Sequence, residues 1–407
     1  MTESLPIPLA YRRRQDCPVD PVPELLRLHS VERITRQLAP NGDAVWLIHR
    51  HADVRRVLSD RRFSTALTPR TVTRPYATDE AAIASPTRQP GSLPGMDPPE
   101  HTRLRRMVAP AFTARRMEAL RPRIRQCVRE CLDIIERTGP PTDLVKSFAQ
   151  PVAALTICEL LGVPEGDRGT FREQIATAFD RTLPRAQLAS AFTAMWEYHS
   201  SLVAAKRQKP DDTVLGAVVR RYGAELSDAE LTGLSNGFLL AGEHTSASMI
   251  GLGVFLLLHR PRDLSVMRDD PDAVPAMVEE ILRYLSAAQT GLVRTATEDA
   301  EIGGQQIKAG EYVMLSLVAA NRDPTVYENP NRFDITRDPE NHLAFGHGPH
   351  FCIGAALARC ELQIAFPELF RRLRKLRLAV PSEHIEFPSF STIYGPESLP
   401  VTWQRGE

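Results

Sequence analysis

The chain has 407 residues, 43% of them hydrophobic, and sets 50 Lys and Arg against 50 Asp and Glu. That length supports a large core, and the balance leaves no net field to draw the protein onto nucleic acid or an anionic membrane. The six cysteines, Cys17, Cys127, Cys131, Cys158, Cys352 and Cys360, show no CxxC or zinc-like clustering, which argues against a disulfide framework or a zinc site. No stretch reads as a linker, repeat or low-complexity tract, so one catalytic domain over residues 1–407 is expected. Arg12, Arg13 and Arg14 precede no apolar run, and Met249 to Leu258 is too short to span a bilayer. A cytoplasmic protein is expected.

In chain order, proline-punctuated Cys17 to Leu28 ends in a short helix, Ala44 to Ile48 alternates as a strand, and His51 to Leu58 is helical with Val54 and Val57 inward. Ser64 to Met96 is rich in Thr, Pro, Ser and Gly and reads as a long loop, a lid or a disordered segment. Asp97-Pro98-Pro99 then opens a helix on which His101 and Arg105 stand four apart on one face, with Arg103 and Arg106 on its solvated side. Helices follow over Arg115 to Arg137, Val145 to Leu161, Asp167 to Phe179 and Gln187 to Lys206, punctuated by glycine and proline.

Ser227-Asp228-Ala229-Glu230 has the capping-box pattern, and no proline follows until Pro261, which permits a helix of about 30 residues, roughly 45 Å long. Its middle breaks an apolar run with Gly242, Glu243, His244 and Thr245. Burying such groups is costly unless they have partners or a task. Gly242 removes bulk where a flat ring and a diatomic gas could approach, and Thr245 can bond a carbonyl one turn earlier and open the helix locally. Pro271 to Leu285 makes another amphipathic helix with Glu280 and Arg283 three apart, a pairing too common to identify anything alone. Leu292 to Ala296, Ala300 to Ile302, Glu311 to Ser316 and Leu399 to Trp403 alternate like strands.

Phe345 to Gly354, reading Phe-Gly-His-Gly-Pro-His-Phe-Cys-Ile-Gly, is a tight backbone-determined loop. A helical apolar pattern begins at Ala355, so Cys352 lies just before a helix N-terminus, where amides and the dipole favour a thiolate. Lone cysteines are more often inert core thiols. Phe345, Gly348, Cys352 and Gly354 nevertheless fit F-x-x-G-x-x-x-C-x-G, which resembles the haem loop of the cytochromes P450. Arg294 to Asp299 and Ala319 to Pro324 also resemble soluble bacterial members, in particular actinobacterial enzymes of secondary metabolism.

The resemblance implies the cytochrome P450 fold, mostly α with a small β-rich subdomain, and a haem b cofactor (iron protoporphyrin IX). It makes Cys352 the metal ligand, with Phe345 shielding the sulfur and Gly354 easing the loop's approach, and His101, Arg105, Arg294 and His350 the propionate contacts. Glu280 and Arg283 match the family's buried E-x-x-R pair, closed by a third arginine expected to be Arg332. Ala241 to Thr245 is similar to the oxygen groove, with one departure. The family's acid directly precedes the threonine, whereas here His244 holds that place and Glu243 lies one earlier, about 100° round the helix.

Thr245 is therefore expected to hold oxygen and its water, and His244 to relay protons or turn to a neighbouring helix. Glu243 is expected to relay protons or to form a salt bridge to an adjacent helix. Ala241, Thr290, Leu292, Val293 and Ile393 are expected to line the substrate pocket. No flavin or NAD fingerprint is present, so electrons are expected from a ferredoxin and ferredoxin reductase, docking near Cys352 at Arg359 and Arg106. The implied activity is hydroxylation or epoxidation of a small to medium-sized natural product, free or carrier-tethered. The alternatives are an NADH-dependent nitric oxide reductase and a non-catalytic haem-thiolate sensor or partner-recruiting homologue; Thr245 weighs against a sensor, which needs no oxygen-activating alcohol.

Overall fold

The computed structural model describes residues 9–14, 16–31, 34–39, 42–68, 89–179, 183–289, 292–338, 340–388 and 393–404. The N-terminal part runs α1 (Pro23–Val31), β1 (Ile34–Leu38), β2 (Ala44–Ile48), α2 (His51–Ser59) and β3 (Phe63–Ser64). A helical stretch follows: α3 (Glu100–Val108), α4 (Ala114–Thr138), the short β4 (Thr142–Asp143), α5 (Gln150–Leu161), α6 (Arg168–Phe179), α7 (Arg185–Gln208), α8 (Val214–Tyr222), α9 (Asp228–Leu258), α10 (Pro261–Asp269) and α11 (Val274–Leu285). The C-terminal part runs β5 (Val293–Ala296), β6 (Ala300–Ile302), β7 (Gln305–Ile307), β8 (Tyr312–Leu315), α12 (Leu317–Ala320), α13 (Ala355–Arg372), β9 (Arg377–Leu378) and β10 (Pro400–Thr402). The fold is mostly α with small sheets, as expected.

The central element is α9, 31 residues long. Its start is the capping box that the sequence announces: Ser227 Oγ accepts from the Glu230 amide at 3.2 Å, and Glu230 Oε2 accepts from the Ser227 amide at 2.9 Å. It is buried along most of its length, which is why its sequence is apolar on nearly every side. By length and composition α9 passes for a membrane span, but it is the core helix, packed against α5, α7 and α13.

Five strands form one sheet in the order β1-β2-β8-β5-β3, with β2 parallel to β8 and the other pairs antiparallel. Opposite residues Leu47, Met314 and Val293 are buried, so this register sets one face against the N-terminal segment. The helix expected over Val145 to Leu161 is divided: Val145–Ala149 is a π turn, and the α-helix begins at Gln150. Pro151 lacks the amide that a continuous helix would use to reach the carbonyl four residues earlier. β1, α8, α10 and α12 are short elements that the hydrophobic pattern did not resolve. All six cysteines are free, and Cys127 and Cys131, one turn apart, are both buried.

Candidate active site

The Cys352 loop is shaped by two residues of positive φ, Gly346 at 72° and Gly348 at 70°. The Cys352 amide donates to the Phe345 carbonyl at 2.9 Å and the Phe351 amide to the Gly348 carbonyl at 3.0 Å, so the loop folds back on itself before Gly354 opens α13. Cys352 is enclosed by protein and yet open to solvent, the state of a side chain bordering an internal cleft. Burial pushes its thiol up, while the Gly354 amide, Arg105 and Arg359 pull it down. Coordination to a metal cation would deprotonate it outright.

Four cationic or imidazole groups from distant segments meet beside this loop. His101 comes from α3, 2% exposed, and neither ring nitrogen has a hydrogen-bond partner. The His350 ring lies 4.0 Å away between centroids. Arg105 reaches the Phe351 carbonyl at 2.5 Å, and Arg294, from β5, is 5% exposed. Burial, and then the neighbouring His101 and Arg294, hold His350 down to about 3, and burial lowers Arg294 to about 10. The acid acting on both, Asp97, is itself engaged by Ser64 and the Thr65 amide. Buried donors with orphaned nitrogens that suppress one another's charge fit an anionic group, and two carboxylates such as haem propionates suit this set. Arg103 stands apart, paired with Glu230 at the surface.

In α9, Thr245 Oγ1 donates to the Ala241 carbonyl at 2.6 Å. Ala241 is exposed in the middle of an otherwise buried helix, which places this turn on the cleft. Gly242 serves a different purpose from the one expected. A Cβ there would stand 2.4 Å from Ile157 Cδ1, so the glycine lets α5 approach and does not clear room in the cleft. Glu243 is 3% exposed, and the charged group acting on it is Glu361 of α13. The expected salt bridge is therefore replaced by a like-charged neighbour, because the 100° step from His244 turns Glu243 into the helix interface. His244 is half-buried.

Glu280 and Arg283 form a bidentate pair at 2.7 and 2.8 Å, with side chains 2% and 0% exposed. The third arginine is Arg337, whose Nε stands 3.7 Å from Glu280 Oε1, and not Arg332. Arg332 is exposed and contributes its carbonyl, 3.4 Å from Arg283 Nη2. The chain reverses at Asn329, where φ is 47°, and that turn sends the Arg332 side chain outward. Sequence reasoning missed Asn321 as a link. Its carbonyl accepts from Arg283 at 2.7 Å and its side-chain oxygen from the Leu343 amide at 2.6 Å, tying the pair to the base of the Cys352 loop. It also missed Glu279, which binds Arg359 at 2.6 and 2.9 Å and His342 at 2.9 Å. Arg359, also 4.7 Å from the Phe345 ring centre, is thus held within the fold while its side chain stays 33% exposed. Arg106 is exposed.

Among the expected pocket residues, Leu292 and Ile393 are half-buried, and Ile393 bridges to Ala288. Val293 is corrected: at 3% exposure it packs into the core under the sheet, since its strand neighbours Leu292 and Arg294 take the opposite face. Thr290 and most of the Ser64 to Met96 loop lie outside the described residues.

A family model described as cytochrome P450 matches residues 267–386. The chain is 39% identical over 407 residues to cytochrome P450 165B3 of Amycolatopsis orientalis, covering 99% of this chain and 100% of that protein. It is 39% identical over 380 residues to the mycinamicin IV hydroxylase/epoxidase of Micromonospora griseorubida, covering 92% and 94%. The crystal structure of CYP105P1 in complex with filipin I superposes with a TM-score of 0.88 at 40% identity, over 97% of this chain and 98% of that one. Family-wide fold, full-length identity and a cysteine loop beside a cluster of arginine and histidine side chains agree: the chain belongs to the cytochrome P450 family and is a haem-thiolate monooxygenase.

Proposed function

We propose that this monooxygenase hydroxylates or epoxidises a medium-sized natural product, free or carrier-tethered, in the cytoplasm, with electrons from a separate ferredoxin and its reductase. The relatives support the substrate class: one is named as a hydroxylase/epoxidase of mycinamicin IV, and a structural neighbour was solved with filipin I. The observation that carries the oxidative reading is the Thr245 hydroxyl, held on the Ala241 carbonyl at the turn where α9 opens to the cleft. A pure sensor or electron carrier has no use for an alcohol there.

In this reading Cys352 would be the thiolate that holds the haem iron, and His101, Arg105, Arg294 and His350 would hold its propionates. When bound, the haem supplies oxygen activation, which thiolate ligation biases toward O–O cleavage. The chain's part is positional. The Gly354 amide and Arg105 favour charge on the sulfur, and Phe345, with Arg359 over its ring, covers that side of the loop. Thr245 holds a proton at its Oγ1 next to the cleft, and the half-buried His244 directly before it in the helix is the second group there that can carry a proton. Glu243 points elsewhere and is assigned no proton to the cleft. Leu292, Ile393 and Ala241 bound the substrate. The ferredoxin docks beside Cys352, where Arg106 and Phe351 are exposed.

The test is turnover with NADPH and a surrogate ferredoxin system on substrates chosen by haem spin shift. Thr245→Ala is expected to retain haem and substrate binding while diverting reducing equivalents to peroxide. Tight coupling retained in Thr245→Ala, or NADH oxidation that requires nitric oxide and no ferredoxin, overturns the reading.

A further inference from the structure

Two side chains that meet the Phe345 ring are tied to the same carboxylate. The Arg359 guanidinium stands 4.7 Å from the ring centre, and the His342 ring lies 5.9 Å away between centroids. Glu279, from α11, accepts from Arg359 Nε at 2.6 Å and Nη2 at 2.9 Å, and from His342 Nε2 at 2.9 Å. The Ala344 amide donates to His342 Nδ1 at 3.2 Å, so the imidazole carries its proton on Nε2 and is neutral. Arg359 and Glu279 are therefore the charged members of this cluster, and the bidentate contact fixes the guanidinium in one orientation.

This pair stands beside the cysteine. The Cys352 amide donates to the carbonyl of Phe345, whose ring Arg359 covers, and Arg359 follows Cys352 by about two helical turns along the start of α13. Arg359 and Arg105 are the charges acting on Cys352. A cation next to a ligating thiolate draws charge from the sulfur and favours the reduced iron, and a carboxylate bonded to that cation offsets part of the effect. With Arg359 partly exposed and the Glu279 side chain 16% exposed, water screens the pair without cancelling it. We propose that Glu279 is a positioning residue for electron uptake: by holding Arg359 over Phe345 and partly neutralising it, Glu279 keeps the reduction potential of the thiolate-ligated iron low. The inference rests on Cys352 as the ligand of that iron.

Opposite signs separate this role from simple support of the loop. Removing the Glu279 charge leaves Arg359 unneutralised near the sulfur, which favours the ferrous state. Removing the Arg359 charge leaves Glu279 unneutralised, which disfavours it. A loop that merely loosened would shift the same way in both cases, because the same bidentate contact is lost. Aspartate at position 279 keeps the charge but withdraws it by one methylene, so its effect has the sign of glutamine's and a smaller size.

The experiment titrates the holoproteins of wild type, Glu279→Gln, Glu279→Asp and Arg359→Gln by spectroelectrochemistry at neutral pH and low salt, after recording the ferrous carbonyl spectrum of each. Glu279→Gln is expected to raise the equilibrium constant for one-electron reduction several-fold, Glu279→Asp to raise it by less, and Arg359→Gln to lower it. Shifts of the same sign in Glu279→Gln and Arg359→Gln, or an unchanged constant in Glu279→Gln, overturn the inference. Where Glu279→Gln retains too little haem to titrate, Glu279→Asp set against Arg359→Gln decides by the same signs. A wild-type carbonyl complex without the red-shifted thiolate band would instead remove Cys352 as the ligand, so the two failures are told apart.

Discussion

Replacing Gly348 by alanine tests how the Cys352 loop is seated. A Cβ at Gly348 would stand 2.6 Å from the Leu58 carbonyl oxygen and 3.2 Å from Ser59 Cα, both main-chain atoms of α2. Relieving the first contact needs a shift of roughly 0.8 Å, which overpacking data put at about 1–3 kcal/mol. Holding alanine at φ 70° adds about 1–2 kcal/mol. Gly346 is the matched control: its φ is 72°, but its nearest neighbour, the His350 carbonyl, stands at 4.0 Å, so Gly346→Ala incurs the backbone term alone. The difference between the variants, about 1–3 kcal/mol, should appear as about 1–4 °C in the thermal midpoint at roughly 2.1 cal/mol/K of unfolding entropy per residue. Because the Phe351 amide is bonded to the Gly348 carbonyl, the shift also reaches Cys352. The ferrous carbonyl spectrum of Gly348→Ala should show a larger fraction lacking the red-shifted thiolate band. Equal losses in the two variants would refute the contact with α2 as the loop's seat.

Arg294→Ala and Arg105→Ala should each lower haem occupancy, measured by pyridine haemochrome, well beyond Arg103→Ala, whose guanidinium is paired with Glu230 at the surface; equal occupancy in all three would mean the ring of anion-binding groups is misassigned. Arg283→Leu should reduce folded yield severely, because it strands a buried carboxylate at about 3–5 kcal/mol, while Arg332→Ala should leave the thermal midpoint unchanged. A destabilised Arg332→Ala would restore Arg332 as the third arginine. Burial pushes Glu279 up, but hydrogen bonds from His342 and Arg359 outweigh it and hold the group at about 2. Its stabilisation is present above the ordinary value of 4.5 and fades as pH falls toward 2, so the midpoints of wild type and Glu279→Gln should converge over that interval. Parallel midpoints down to the acid end would sink the assignment.

Elements governed by neighbours in sequence were legible. The capping box at Ser227, the uninterrupted span to Pro261, the positive-φ glycines before Cys352 and the Glu280–Arg283 spacing are local patterns whose backbone consequence follows from sterics and helical periodicity. The spacing also placed Glu243 one step round the helix from the cleft. What that residue met there was not readable, because it depends on how α13 packs on α9 and which face Glu361 brings. Gly242 was assigned to the wrong neighbour for the same reason: only the closeness of α5 shows that Ile157 needs its missing Cβ.

By itself, the sequence determined the helix and strand periods, the loop that presents Cys352 and the residue types available for cofactor and proton chemistry. The tertiary structure alone decided which members of that set share a space. Arg337 replaces Arg332 because the turn at Asn329 reverses the chain, Asn321 joins the buried ion pair to the loop across 22 residues, and Val293 faces core and not pocket because of its register against Met314. Periodicity fixes a side chain's direction relative to its own element, whereas contacts between elements follow from packing rotations and backbone reversals that spacing along the chain does not encode.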